Sequence, residues 1–183
     1  MKILAVQNRM GIGDTVIFLP YIEAISKKFN SPVSLLVKKS SKADQYLNQT
    51  NYLDKIIFLE RDKKNDERHN GIIGSYRLAQ DLKKYQFDKI FIFNSSLRFN
   101  LISRLANIKE MYQYSLSKKT DQHIIQPAKD LIKKNLGIDV IRNPQIQISD
   151  DLVKKAILNF NIDTNEQNVL LGIGGSGPTK RVP

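Results

Sequence analysis

Two glycine-rich turns hold the residues best suited to chemistry. The first, Met10-Gly11-Ile12-Gly13-Asp14, follows a short apolar run and opens a helical stretch. The second, GGSGPTK at 174–180, follows the apolar run 169–173. In the first turn, Gly11 and Gly13 let a substrate approach the backbone, and Asp14 stands at a helix start. There the helix dipole keeps a carboxylate ionised and able to accept a proton from a substrate hydroxyl. A plain capping role suits Asp14 equally well, and spacing alone does not choose between them. A dinucleotide fingerprint would need a third glycine where Val16 stands, and Asp14 would repel its diphosphate. A P-loop would need a Gly-Lys-Ser/Thr ending, which this turn lacks.

The second turn is the better phosphate cradle. Backbone N–H groups around Gly175 and Gly177, the Ser176 and Thr179 hydroxyls and the Lys180 ammonium can converge on a diphosphate. A flexible hinge loop is the competing reading. No Asp-x-Asp pair occurs for a metal–diphosphate clamp, so a leaving phosphate would be neutralised by Lys180, hydroxyls and helix N-termini.

The elements that would carry these turns alternate regularly. Apolar, β-rich runs at 2–6, 33–37, 55–59 and 89–93, with a weaker one at 111–114, read as strands. Between and after them lie helical stretches at 14–29, 41–49, 72–85, 97–106 and 121–135, the last stopped at Gly137. Pro20 is expected to kink the first helix. Such alternation implies a Rossmann-like α/β domain, a parallel sheet with helices on both faces, ending near residue 140. After Asn143-Pro144 the texture changes: a short extended piece at 146–148 precedes a helix at 150–160 capped by Ser149. A polar linker then leads to a strand at 169–173. The implied division is 1–148, a helix and linker at 149–167, and the start of a second domain at 168–183. A lone strand and turn cannot form a domain, so the chain reads as a fragment or a truncated product.

Composition narrows the class further. The 183 residues suffice for one full core plus part of another. No apolar stretch approaches the roughly 18 residues of a membrane span, and the opening lacks the features of a secretory signal. With no cysteine and two isolated histidines, His69 and His123, disulfides and zinc sites are not expected. A cytoplasmic protein is the expectation. The net charge is +11, and Lys-Lys doublets recur along the chain, several where helices should end. Solvated helix ends explain them, and a basic face attracted to phosphorylated lipid at an anionic membrane is the second reading. Nucleic acid is disfavoured because no basic run is interleaved with aromatics. The mixed-charge cluster 60–69 reads as an exposed loop.

These motifs resemble glycosyltransferase family 9, the lipopolysaccharide heptosyltransferases and their relatives. MKILAVQNRMGIGDTVIFLPYIEAISKKF is similar to that family's opening, with its Gly-x-Gly-Asp turn and a proline in the first helix. FDKIFIFNSSLRFNLISRLANIKEMYQY is similar to its middle segment, and GIGGSGPTKRVP to its donor loop, with Val182 where tryptophan is usual. The resemblance implies the GT-B fold, two Rossmann-like domains facing across a cleft, and covers essentially the whole chain. It implies that 1–148 binds the acceptor and that 168–183 begins the nucleotide-sugar domain. Asp14 would be the general base of an inverting, metal-independent transfer. Gly175, Ser176, Gly177, Thr179 and Lys180 would hold the donor, expected to be ADP-heptose or another nucleotide sugar. Gly11, Gly13, Asn94, Ser95 and Arg98 would line the acceptor site for a lipopolysaccharide core or related envelope glycan. Arg98 would meet a phosphate or carboxylate there, or else be an ordinary exposed arginine at a helix start. Arg61 and His123 are weaker candidates. A nucleotide-dependent oxidoreductase and a non-catalytic sugar-binding remnant remain as alternatives, and the chain by itself is expected to be inactive.

Overall fold

Strand β1 (Ile3–Gln7) is buried along its whole length, which requires cover on both faces of the sheet. Its alternating side chains go to opposite sides. Ile3 and Ala5 join a core with helices α2 (Leu19–Phe29) and α6 (Gln126–Leu136). Leu4 and Val6 join a second core under α4 (Gly71–Lys83) and α5 (Leu97–Leu105). This computed structural model describes residues 1–61, 67–115, 123–141 and 143–171.

Five parallel strands lie in the order β3-β2-β1-β4-β5. β2 spans Val33–Lys38, β3 Leu53–Leu59, β4 Lys89–Ile92 and β5 Glu110–Gln113. The chain builds outward from β1 to β3, then returns to lay β4 on the other side of β1. Ile3 registers with Val33 on one side and with Lys89 on the other. The point where the order reverses therefore lies between β1 and β4. Phe91, fully buried in β4, stacks on Tyr112 of β5 at 4.6 Å between ring centroids and lies 6.1 Å from Phe29 of α2.

Several expectations need correction. The stretch 14–29 is two helices, α1 (Ile12–Val16) and α2, with Pro20 in the first turn of the second rather than at an internal kink. Proline lacks the N–H that would bond Val16 and clashes with that carbonyl, so the first helix ends there. The predicted helix 41–49 shrinks to a 3-10 turn at Lys39–Ser41 and a single turn, α3 (Ala43–Tyr46). Strand β3 starts two residues earlier than expected, and 146–148 has no regular structure. Gly137 ends α6 with φ 71°, as the pattern implied.

The chain divides into two compact units, Met1–Gln147 and Ile148–Pro183. In the second, Ser149 caps α7 (Asp150–Asn159) by accepting a hydrogen bond from the Leu152 N–H at 3.4 Å. The expected strand 169–173 does not form over its described part: Val169, Leu170 and Leu171 are exposed and irregular. A strand is stabilised by a neighbour's hydrogen-bond ladder, and the described residues of this unit supply none.

Phe91→Ala should lower stability by about 3–5 kcal/mol, read as a fall in urea midpoint with little change in slope. A loss below about 1 kcal/mol would mean that the β4–β5 half of the sheet does not depend on this ring.

Candidate functional site

The loops after β1 and β4 leave the carboxyl edge of adjacent strands on either side of the reversal point. In open parallel sheets such a crevice is where ligands bind. A hydrogen bond from the Asn94 amide to the Asn8 side-chain oxygen, 3.2 Å, joins the two loops directly. Asn94 also accepts from the Ser96 N–H at 2.9 Å, and Gln113 of β5 donates to the Ser96 carbonyl at 2.8 Å. Both loops are thus fixed to the sheet and to each other.

Gln7 holds the first loop from below. It is almost completely buried, donates to the Asp14 carbonyl at 2.7 Å and accepts from the Arg9 N–H at 2.6 Å. This polar residue closing an apolar strand was the available signal for the clamp, and sequence reasoning passed over it. Gly11 is the N-cap of α1 with φ 151°, a conformation that L side chains rarely adopt, and Asp14 Oδ2 lies 3.4 Å from where its Cβ would be. The Asp14 carboxylate has no hydrogen bond or ion pair among the described residues. Thr15 is the residue whose side chain bonds back to the Gly11 carbonyl, at 3.2 Å. Space around Gly13 is open. Beneath the crevice lies an aromatic group, Phe18, Tyr21, Phe93 and Tyr114, with Phe18 and Phe93 centroids 5.3 Å apart. Burial drives the Tyr114 hydroxyl pKa well upward, against the pull of the Arg9 charge.

Asn94 and Ser95 lie on the β4 loop, and Arg98 in the first turn of α5, where its side chain is half-buried. Its guanidinium donates to the His69 carbonyl, while its Nε finds no partner among the described residues. Burial, and then the charge of Arg61, holds its pKa below the ordinary value. Arg61, a weaker sequence candidate, thus lies close enough to Arg98 to be felt. His123 is exposed. The five donor-loop candidates, Gly175, Ser176, Gly177, Thr179 and Lys180, lie outside the described residues.

The expected exposed loop at 60–69 ends in a buried histidine. His69 Nδ1 accepts from the Glu60 N–H at 3.0 Å, so the ring proton sits on Nε2, 3.3 Å from Asp81. Its own N–H bonds the Glu60 carbonyl at 3.2 Å. A Cβ on Gly74 would fall 2.2 Å from the His69 carbonyl carbon, so only glycine lets α4 approach this closely. Burial would raise the Asp81 pKa, but hydrogen bonds from Arg68, Lys84 and His69 outweigh it and hold the carboxylate below its usual range. His69 is therefore the support behind Arg98. Both its ring nitrogens are engaged.

Two surface cavities lie elsewhere. One of about 400 Å³ opens beside His69 and Asp81 at the β3 edge, and one of about 410 Å³ lies between Glu23, Asn51, Tyr52 and Gln147. In the first, His69 and Asp81 are bonded to each other, and Asp81 also to Arg68 and Lys84. The second is at the amino edge of the sheet, where Asn51 and Gln147 exchange hydrogen bonds of 2.7 and 3.1 Å. The crevice between β1 and β4 is the better candidate. Among the described residues, no group of three or more histidine or carboxylate side chains could hold a metal, and no helix is long and apolar enough to cross a membrane.

A carboxylate with a depressed folded-state pKa stabilises above its unfolded pKa, near 4, and loses that contribution as pH falls. The stability gap between wild type and Asp81→Asn should therefore be full at pH 7 and close progressively below about pH 4. Denaturation of both across pH 7 to 2.5 checks this, and a gap independent of pH would contradict the ion-pair account.

No family model matches the sequence, and no curated protein matches it significantly. Solved structures do match. A glycosyl transferase family 9 protein from Veillonella parvula DSM 2008 superposes over 100% of this chain with a TM-score of 0.73 at 15% identity. E. coli ADP-heptose lps heptosyltransferase II covers 90% of the chain, with a TM-score of 0.60 at 13% identity. E. coli heptosyltransferase WaaC with ADP-2-deoxy-2-fluoro heptose also covers 90%, with a TM-score of 0.53 at 14% identity. The chain spans about half the length of these structures, between 52% and 56% of each. The chain has the Rossmann-like fold of the N-terminal half of GT-B glycosyltransferases, with a likeness to those of family 9.

Proposed function

We propose that the chain is the acceptor-binding half of a glycosyltransferase that moves a sugar from a nucleoside diphosphate onto an anionic glycan. One observation carries the reading. Asp14, whose carboxylate has no partner among the described residues, stands in the first turn of α1 just beyond the carboxyl edge of β1, after a loop whose Asn8 is bonded across the topological reversal to Asn94 of the β4 loop. An oxidoreductase would want a diphosphate at that helix start, where the Asp14 charge opposes it.

In the proposed reaction an acceptor hydroxyl gives its proton to Asp14 as its oxygen attacks the anomeric carbon. The bond from that carbon to the diphosphate oxygen breaks, and configuration inverts. Asn94 and Ser95 orient the sugar by hydrogen bonding. Arg98 and Arg61 meet a phosphate or carboxylate, a charge-assisted contact stronger than a neutral one. The glycines and hydroxyls of the second turn, Gly175, Ser176, Gly177 and Thr179, hold the departing diphosphate with Lys180, and no metal takes part. Heptose is the favoured sugar, and lipopolysaccharide core the favoured acceptor, because the similar E. coli structures are named as ADP-heptose and lps heptosyltransferases. The reading goes with a cytoplasmic protein.

The test is sugar transfer from ADP-heptose to a heptose-deficient lipopolysaccharide core by the complete gene product. Asp14→Ala should lower kcat/KM by about 100-fold or more while remaining folded. Transfer by a mutant as active as wild type would reduce Asp14 to a structural residue. The 183-residue chain alone should bind ADP-heptose weakly, and tight binding in calorimetry would overturn the assignment of donor contacts to a separate half.

A further inference from the structure

Helices α4 and α5 lie side by side over the same face of the sheet. Their inward sides are core, but their outward sides are not the polar surfaces expected of solvated helices. Ile72, Ile73 and Tyr76 on α4 are 89%, 69% and 56% exposed, and Leu97, Leu101 and Leu105 on α5 are 70%, 53% and 41% exposed. The spacing 97, 101, 105 keeps the three leucines on one stripe of α5. Scattered exposed apolar residues are ordinary, but six on two adjoining helices form a patch of the kind that marks an interaction surface.

The charges around the patch identify the partner. Arg77 of α4 and Arg104 of α5 are exposed beside these side chains, with Lys83, Lys84 and Lys109 nearby. Asp81 is the one acidic residue on either helix, and Arg68 and Lys84 already neutralise it. An apolar stripe flanked by arginine and lysine, with no uncompensated acid among the described residues of the two helices, complements an anionic bilayer: the side chains enter the headgroup boundary and the cations meet lipid phosphate. We propose that the outward face of α4 and α5 is a docking surface for anionic phospholipid membrane. This goes beyond the transferase reading and does not depend on it.

Flotation of the purified chain with vesicles tests the proposal. One set would be pure phosphatidylcholine, and the other would contain about one-third phosphatidylglycerol at low ionic strength. Wild type should float with the anionic vesicles only. The pairs Ile73→Ser/Leu101→Ser and Arg77→Glu/Arg104→Glu should each reduce partitioning by about tenfold or more. All four side chains are exposed, so folding should be retained, checked by circular dichroism. Lys28→Glu/Lys134→Glu makes the same charge change on α2 and α6, over the opposite face, and should leave most of the binding intact. Equal loss in that control pair would show diffuse charge attraction and overturn the assignment of this face. No flotation by wild type would overturn the proposal outright. A patch-dependent dimer in sedimentation without vesicle binding would show that a second copy, not lipid, covers the helices.

Discussion

The structure depends on one placement, β4 laid parallel against the free side of β1. Ile3, Leu4, Ala5 and Val6 register with Lys89, Ile90, Phe91 and Ile92, and all but Lys89 are fully buried. Because these strands are apolar on both faces, helices must cover both, and with right-handed crossovers the connections change face where the strand order reverses: those from β1 to β3 lie on one side, and α4 and α5 on the other. The loops after β1 and β4 then diverge and leave a crevice at the carboxyl edge. Nothing in the crevice need be strained to exist. It is a consequence of strand order, and Gln7, Asn8 and Asn94 turn it into a defined shape.

Rigidity below the crevice is unequal on its two sides. On the α2 side, Phe18, Tyr21, Phe93 and Tyr114 pack ring on ring, so the first loop rests on aromatic core. On the α4 side the support is polar. Asp81 fixes His69, whose carbonyl receives Arg98, and the close approach at Gly74 leaves that carbonyl little freedom. Such a relay is stiff only while every member is satisfied. It holds the Arg98 guanidinium without neutralising it, because a carbonyl carries no charge to cancel that of a guanidinium.

Much of this was legible in the sequence. Runs such as KILAV and KIFIF could only suit strands buried on both sides, and alternation with helices gave the parallel sheet. Gly137 and Ser149 behaved as end signals because capping is local chemistry, set by residues within one turn. The strand–helix junction at 11–14 was legible because glycine and aspartate punctuate it. Burial of His69 was not, because it follows from contacts with Asp81 and Glu60 that the local charge pattern hides. Gln7 was half legible: a polar residue closing an apolar strand marks it, but the backbone groups its amide bonds are brought together only by the folded turn. At Val169–Leu171 the local pattern was a strand, yet strand structure needs a partner that sequence does not display.

A ligand that enters between β1 and β4 should leave its mark on the loops that follow those two strands. Amide shifts of the labelled chain during titration with a phosphorylated core oligosaccharide test it most directly. The largest changes should fall at residues 8–14 and 93–98, with smaller ones at Arg61 and His69 and none around Asn51, Tyr52 and Gln147. Changes concentrated at that amino-edge cavity, with the β1 and β4 loops silent, would contradict it.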